Sequence, residues 1–443
     1  MLFNSIAYFI FLPLVFIMYW SRRNAWQQNF VLLLASLVFY GWWNMACLGL
    51  MVGLCVVNYL SVSHLKGLWA RNLTLCLNFS VLFLFKYFDF FSQSFADLLH
   101  LFGVCADMPT LRIILPMGIS FYIFQLSSYV VDCYSGKLQP CRSPMKFLTF
   151  ICFFPQLVAG PIERGSNLLP QFYGKRTFDE EEATCGMRLI LWGLVKKVLV
   201  ADNCAVQVDY AFSHYDTLNM PSLWMGALYF TFQIYCDFSG YSDIAVGSAK
   251  LFGIRLTRNF NRPYLATSMQ DFWRRWHISL MDWFRDYVYI PIGGSRCSAF
   301  RKHLNVLLVF FLSGLWHGAG WTYVCWGLYH ALVYRVRGFL VFIFVMLGWV
   351  IFCASDMGVA TCYLRGLFSF DIHGGMCLSR FPLLLIVLLM FTEWLMKERE
   401  HPFCFKKEGW QSSQVVRLLC YFVVLMSVVF MGGKPVDFIY FQF

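Results

Sequence analysis

The stretch DFWRRWHISLMDWFRDYVYIPIGGSR (271–296), followed by SGLWHGAGW (313–321) and CWGLYH (325–330), decides how this chain is read. At 100° per residue, a helix over Asp271–Asp286 collects Trp273, Trp276, His277, Leu280, Trp283 and Phe284 on one face. Asp271, Arg274, Arg275, Asp282, Arg285 and Asp286 fall on the other. That division predicts an interfacial amphipathic helix with a tryptophan-rich apolar side. His277 belongs to the aromatic face and needs a partner there. Forty residues on, His317 ends the apolar run LNVLLVFFLSGLW, at a depth where ionisable groups are expensive and usually functional. Gly318 and Gly320 beyond it let the helix break and another group approach closely.

Working outward, the 443 residues are 59% hydrophobic and 13% charged, about half the charge of a typical soluble domain. Apolar runs cover 3–20, 29–43, 45–60, 72–88, 111–131, 222–238, 303–316, 321–335, 338–354, 382–396 and 415–431, with weaker ones at 146–160 and 187–203. These runs predict an all-α polytopic membrane protein of about 10–13 embedded helices, forming a single domain over 1–443. The first run has neither a positive n-region nor a small-residue cleavage site, so a signal peptide is not expected. Arg22 and Arg23 after that run place the N-terminus outside the cytoplasm. Lys397, Arg399, Lys406 and Lys407 before the last run place the tail, residues 433–443, on the extracytoplasmic side.

The net charge of +11 is uneven, because Lys250–Lys302 carries ten Lys or Arg against three Asp. A cytoplasmic loop obeying orientation rules explains this excess. So does a site for a phosphate-bearing ligand such as a coenzyme A thioester, with Arg274 and Arg275 as donor-binding candidates. Nucleic acid is not expected. The seventeen cysteines are scattered without a CxxC pair, mostly in apolar runs, and read as small hydrophobes; neither a zinc site nor a disulfide framework is expected.

Several segments break the helical pattern. Pro116 and Gly118 interrupt the run over 112–134, which therefore has to face protein rather than lipid. Pro155, Gly160 and Pro161 make 153–172 a re-entrant or broken segment. Asp237, Ser239, Tyr241 and Asp243 lie in apolar sequence, where a buried hydrogen-bonded network and the lining of a reaction chamber are both open readings. Trp316 and His330 join them as lining candidates, with His330 a support rather than a catalyst.

No GxSxG elbow, Walker A loop or HExxH pair is present, so a nucleophilic serine of the chain's own is not indicated. A desolvated, neutral imidazole at His317 is suited to accept a proton from a hydroxyl as it attacks a carbonyl. Two other classes stay open. A transporter would use the histidines as proton relays, although no inverted repeat is visible. A membrane cytochrome would use His317 and His330 as haem ligands.

A series of segments carries a family resemblance: MLFNS (1–5), FYGWW (39–43), FPQLVAGPIER (154–164), WGLVKKVLVAD (192–202), YCDFSGYSDIAVGSAKLFG (235–253), DFWRRWHISL (271–280), FRDYVYIPIGGSR (284–296), SGLWHGAGWTYVCWGLYH (313–330), GWVIF (348–352) and FIYFQF (438–443). In this order they resemble the membrane-bound O-acyltransferase superfamily, in its bacterial branch concerned with alginate O-acetylation. The resemblance implies helices around a central tunnel, a cytosolic acyl-CoA donor such as acetyl-CoA, no bound cofactor and no metal. It implies His317 as the catalytic histidine and His277 as its second member. It also implies O-acylation of an exported polysaccharide at the bacterial cytoplasmic membrane, completed by an extracytoplasmic acyltransferase partner. D-alanyl transfer to a cell-wall polymer is the near alternative. The related D-alanylation machinery ends a small separate protein in a similar FIYF-type motif, which makes Tyr440 an acyl-relay candidate. Two positions depart from the family pattern: Asn203 and Cys353 stand where relatives commonly carry arginine.

Overall fold

The computed structural model describes residues 1–105, 108–158, 160–373, 377–404 and 413–439. Among them the chain is helical throughout, with no strand beyond one isolated bridge between Ser268 and Arg337. Side-chain caps start many of the helices: Ser5, Asn24, Asn44, Ser143, Ser268, Ser298 and Asp356 each accept the backbone N–H three residues on. The chain divides into two compact units, Met1–Glu180 with Leu251–Thr257, and Glu181–Lys250 with Arg258–Phe443.

In the first unit, α1 (Ile6–Trp20), α2 (Ala25–Gly41), α3 (Met45–His64) and α4 (Leu68–Leu82) follow one another closely. A π turn at Phe83–Tyr87 carries α4 into α5 (Phe88–Leu101). Helices α3 and α4 are joined by polar bonds, with Asn58 and Asn78 exchanging amide hydrogen bonds at 2.8 and 2.9 Å and Ser61 bonding Thr74 at 2.5 Å. Such pairs replace the hydrophobic drive that is missing between helices in lipid. The run at 111–131 is helical only from Ile119. Pro116 and Gly118 hold the preceding residues out of α6 (Ile119–Tyr134), and Gly118 has φ +73 with Leu157 O where a Cβ would go. Helix α6 is buried from Ile119 to Val130, so it faces protein as its break requires.

Beyond α7 (Pro144–Cys152), the segment 153–172 is broken into α8 (Phe154–Leu157), α9 (Gly165–Leu168) and a 3-10 turn at Leu169–Phe172. Charged residues within it and just beyond it are tied down. Buried Glu163 accepts from Asn167 at 2.7 Å and from the Thr257 amide. Buried Arg176 reaches Asn29 at 2.6 Å, the Gln171 carbonyl at 2.8 Å and the Tyr19 hydroxyl.

In the second unit, α10 (Glu180–Leu194) runs through a π segment, Val195–Ala201, into α11 (Asp202–Ser213), and is followed by the 32-residue α12 (Met220–Leu251). Helices α10 and α12 meet on glycine. Carbon added to Gly193 would stand 2.5 Å from Gly240 O, and carbon added to Gly247 2.6 Å from Gly186 O. The spacing of seven residues on both helices keeps the two contacts on one face. Backbone packed against backbone in this way brings the π segment close to the middle of α12.

The rest of the unit comprises α13 (Met269–Arg275), α14 (Ile278–Phe284), α15 (Ala299–His317), α16 (Trp321–Leu332), α17 (Leu340–Cys353), α18 (Met357–Gly366), α19 (Phe381–Leu395) and α20 (Gln414–Met431). Helices α15 and α16 form a tight hairpin, because Gly314 sits on Tyr323 O and Gly327 on Phe310 O. By length and composition, Met45–His64, Leu68–Leu101 and Gln414–Met431 are long and apolar enough to cross a membrane. Ile6–Trp20, Leu340–Cys353 and Phe381–Leu395 are shorter apolar helices.

Candidate active site

The helix expected over Asp271–Asp286 is broken in two. Trp276 leaves the helical path, and His277 adopts φ +44, ψ +55, a left-handed conformation that L-residues other than glycine rarely take. The backbone groups freed by the break find partners in the preceding extended segment. Ile278 N–H donates to Asn259 O, Asn261 N–H donates to Arg275 O, both at 2.9 Å, and the Ser279 hydroxyl bonds the Asn259 side chain at 2.6 Å. Periodicity alone does not register these distant acceptors. The division of faces survives the break: Trp273, Trp276, His277, Leu280, Trp283 and Phe284 are buried, while Arg274 and Arg285 are exposed. Strain of this kind, held by surrounding bonds, is characteristic of functional positions.

His317 is the last residue of α15. Gly318 lies directly under the Tyr323 ring, leaving no room for a side chain, so the chain turns sharply into α16. Three histidines then fall along one aromatic wall. His277 stands with its ring centroid 4.7 Å from Phe238 and 5.7 Å from Trp316. Trp316 is 5.0 Å from His317, and His317 meets Trp326 edge-on at 5.1 Å and Phe352 at 5.4 Å. Trp326 and Trp273 then flank His330 at 5.0 and 4.9 Å. The imidazoles are 1%, 4% and 0% exposed, so all three are desolvated. Among the described residues neither ring nitrogen of His330 has a hydrogen-bond partner, and its Nε2 packs on Gly348. That placement suits a packing role.

The acidic residues of α12 separate into two clusters. Lys197 Nζ lies 2.7 Å from Asp237 and 2.8 Å from Asp202, and Lys196 pairs with Asp243 at 2.6 Å. Asp237 and Asp243 are thus each engaged in an ion pair with a lysine of the π segment. Asp237 also accepts the Ile439 amide at 2.7 Å, while Lys197 donates to Val436 O at 2.8 Å. Asn203, one of the departures from the family pattern, donates to Met431 O at 2.9 Å. The chain after α20 is thus held against the π segment. Phe438 is fully buried, 4.4 Å from Tyr241 and 5.8 Å from Phe238, the ring that touches His277. Ser239 is buried in the same helix. Tyr440 lies outside the described residues. Lys197, Asp202 and Phe438 were not named as site residues from sequence, although the segments WGLVKKVLVAD and FIYFQF contain them.

The two donor-binding candidates differ in setting. Arg275 forms an i,i+4 pair with Asp271 at 2.9 Å. Arg274 instead lines a cavity of about 380 Å³ together with Trp273, Met281, Arg285, Phe310 and Tyr334. Trp273 and Phe310 are shared between this cavity and the surroundings of His330.

Apolar helices, a broken segment over 153–172 and buried histidines on an aromatic wall are the features of a helical membrane protein with a candidate site in its interior. The comparisons carry this further: residues 5–348 match the membrane-bound O-acyltransferase family (MBOAT), and the chain belongs to it. It is similar to a probable alginate O-acetylase AlgI of Azotobacter vinelandii, 38% identical over 83% of this chain and 78% of that protein. A peptidoglycan O-acetyltransferase of Helicobacter pylori is 36% identical, over 83% of this chain and 80% of its own. A teichoic acid D-alanyltransferase of Bacillus subtilis is 29% identical over 50% of this chain and 59% of its own.

Proposed function

We propose that this enzyme transfers an acetyl group from cytosolic acetyl-CoA to a hydroxyl, as the membrane step in O-acetylating an exported or cell-surface polysaccharide of a bacterium. The observation that carries the reading is the desolvated His317 at the end of α15, with Trp316 beside it reaching toward His277. His317 takes the proton of the attacking hydroxyl, the oxygen bonds the thioester carbonyl carbon, and coenzyme A leaves as a thiolate that regains a proton. His277 orients the reacting groups. Arg274, at the cavity that Trp273 and Phe310 share with His330, is the donor-side cation with no i,i+4 partner of the kind that holds Arg275; it answers the phosphates of coenzyme A.

The docked tail supports a relay. Phe438 and Ile439 are buried beside Tyr241 and Asp237, so the next residue, Tyr440, is the acceptor hydroxyl within this reading. An extracytoplasmic acyltransferase partner then moves the acyl group to glycan. The site lies in the cytoplasmic membrane, with the donor side facing the cytosol. The likeness to alginate and peptidoglycan O-acetyltransferases supports acetyl and polysaccharide as the donor group and acceptor class.

Coenzyme A release from acetyl-CoA by the full-length protein in nanodiscs tests the reading. Release is expected from the unaltered chain and is lost in His317→Ala. Release that persists in His317→Ala removes the general-base assignment. An acetylated tyrosine in the C-terminal peptide, absent in Tyr440→Phe, is the expected mark of the relay.

A further inference from the structure

The second unit brings together two cysteines 219 positions apart in sequence. Cys185 lies in α10, and Cys404 follows α19 in the segment after Leu395. Both sulfurs contact one imidazole nitrogen: His401 Nε2 is 3.6 Å from Cys185 Sγ and 3.3 Å from Cys404 Sγ. Their shared contact with His401 Nε2 brings the two thiols to the same side of one ring. Lys250 Nζ stands 3.3 Å from Cys185 Sγ and 3.1 Å from both Glu400 oxygens. His401 is buried, whereas both cysteines are partly exposed. A thiol pair beside an imidazole and an ammonium, within reach of solvent, has the surroundings of a reactive thiol rather than of an inert core cysteine.

We propose that Cys404 and Cys185 form a peroxide-sensitive dithiol, in which Cys404 is oxidised first and Cys185 resolves it. The Cys404 thiolate attacks one oxygen of hydrogen peroxide, giving a sulfenic acid and hydroxide. The Cys185 thiol then attacks that sulfur, and the disulfide forms as water leaves. Two electrons pass from the sulfurs to one peroxide, with no other reductant or oxidant needed. Cys404 makes the closer approach to the shared imidazole, 3.3 Å against 3.6 Å for Cys185. The Cys185 hydrogen bond draws the Cys404 thiol down to about 6, against the opposing effect of burial, and the Lys250 charge adds to the lowering. Glu400 opposes it, and Arg399 holds the Cys404 carbonyl at 3.2 Å. The disulfide would tether α10 to the segment after α19.

The test uses the full-length protein in nanodiscs with stoichiometric peroxide, followed by peptide mass spectrometry under denaturing, thiol-blocking conditions. A dominant Cys185–Cys404 cross-linked peptide is expected, and a dimedone adduct on Cys404 in Cys185→Ser. Iodoacetamide labelling separates the ionisation from the proximity. Between pH 6 and pH 8 the Cys404 rate rises about twofold, against roughly seventyfold for a free cysteine peptide labelled alongside it. Labelling of Cys404 that follows the free peptide overturns the proposal, as does random disulfide formation. So does purified protein holding about one zinc per chain with both thiols protected until chelation, since the cluster would then be a metal site.

Discussion

Replacing Asp237 with leucine separates two tasks that Lys197 and Asp237 perform together. In the native chain Lys197 faces two carboxylates, Asp202 and Asp237, and Asp237 also holds the Ile439 amide at 2.7 Å. Leucine keeps the branched skeleton of aspartate, with methyl groups in place of the oxygens, and leaves Lys197 with Asp202, one cation against one anion, so the fold keeps a balanced pair. The tail loses a hydrogen bond to a charged acceptor, worth about 1.5–3 kcal/mol. At tenfold per 1.4 kcal/mol, the undocked fraction of the tail should rise roughly 10- to 100-fold. Lys197→Met does the opposite, leaving two carboxylates face to face in a dry site, and should destabilise the whole unit by about 3–5 kcal/mol. Hydrogen–deuterium exchange of the 432–439 segment reads the first effect, and thermal unfolding in detergent reads the second. Faster tail exchange at unchanged midpoint is expected for Asp237→Leu, and a lowered midpoint for Lys197→Met. Equal exchange in Asp237→Leu and the native chain would refute the idea that this carboxylate docks the tail.

Other substitutions probe separate links. His317→Ala should lower acyl transfer by about 10²–10⁴-fold, the usual contribution of a positioned base, with unchanged circular dichroism. Both His277→Gly and His277→Ala remove the imidazole, yet the glycine variant should be more stable by about 1–2 kcal/mol, since φ +44 strains only the alanine; equal unfolding midpoints would contradict that. Gly240→Ala should destabilise by about 1–3 kcal/mol, because the new methyl would stand 2.7 Å from Gly193 O. Gly49→Ala, with nothing within 4 Å of the added carbon, should be neutral or mildly stabilising, by up to about 1 kcal/mol. Matching losses at the two glycines would mean that the α10–α12 approach is not what the first change disrupts.

Much of the site was legible in the sequence because membrane burial makes certain residues conspicuous. A histidine ending an apolar run and flanked by glycines stood out as His317, and the structure places it at a helix end beneath aromatic rings. The tryptophan face of 271–286 was legible from helical periodicity, and it stayed buried after the helix itself broke. The break was not legible: it depends on Asn259 and Asn261, whose backbone and side-chain groups capture the freed hydrogen bonds. Arg274 and Arg275, adjacent and chemically identical, were indistinguishable until one formed a pair with Asp271 and the other lined a cavity.

By itself the sequence determined the solvent, the helical class and the positions where chemistry was affordable, since these follow from local composition and from the penalty on charge in hydrocarbon. Tertiary structure alone decided which distant groups meet. Glycine contacts between α10 and α12 set Lys197 on Asp237, the tail then folds onto that pair, and Cys185 reaches Cys404 across 219 residues. Each of these meetings depends on how closely two backbones approach, a distance set by the packing of whole helices and carried by no single segment.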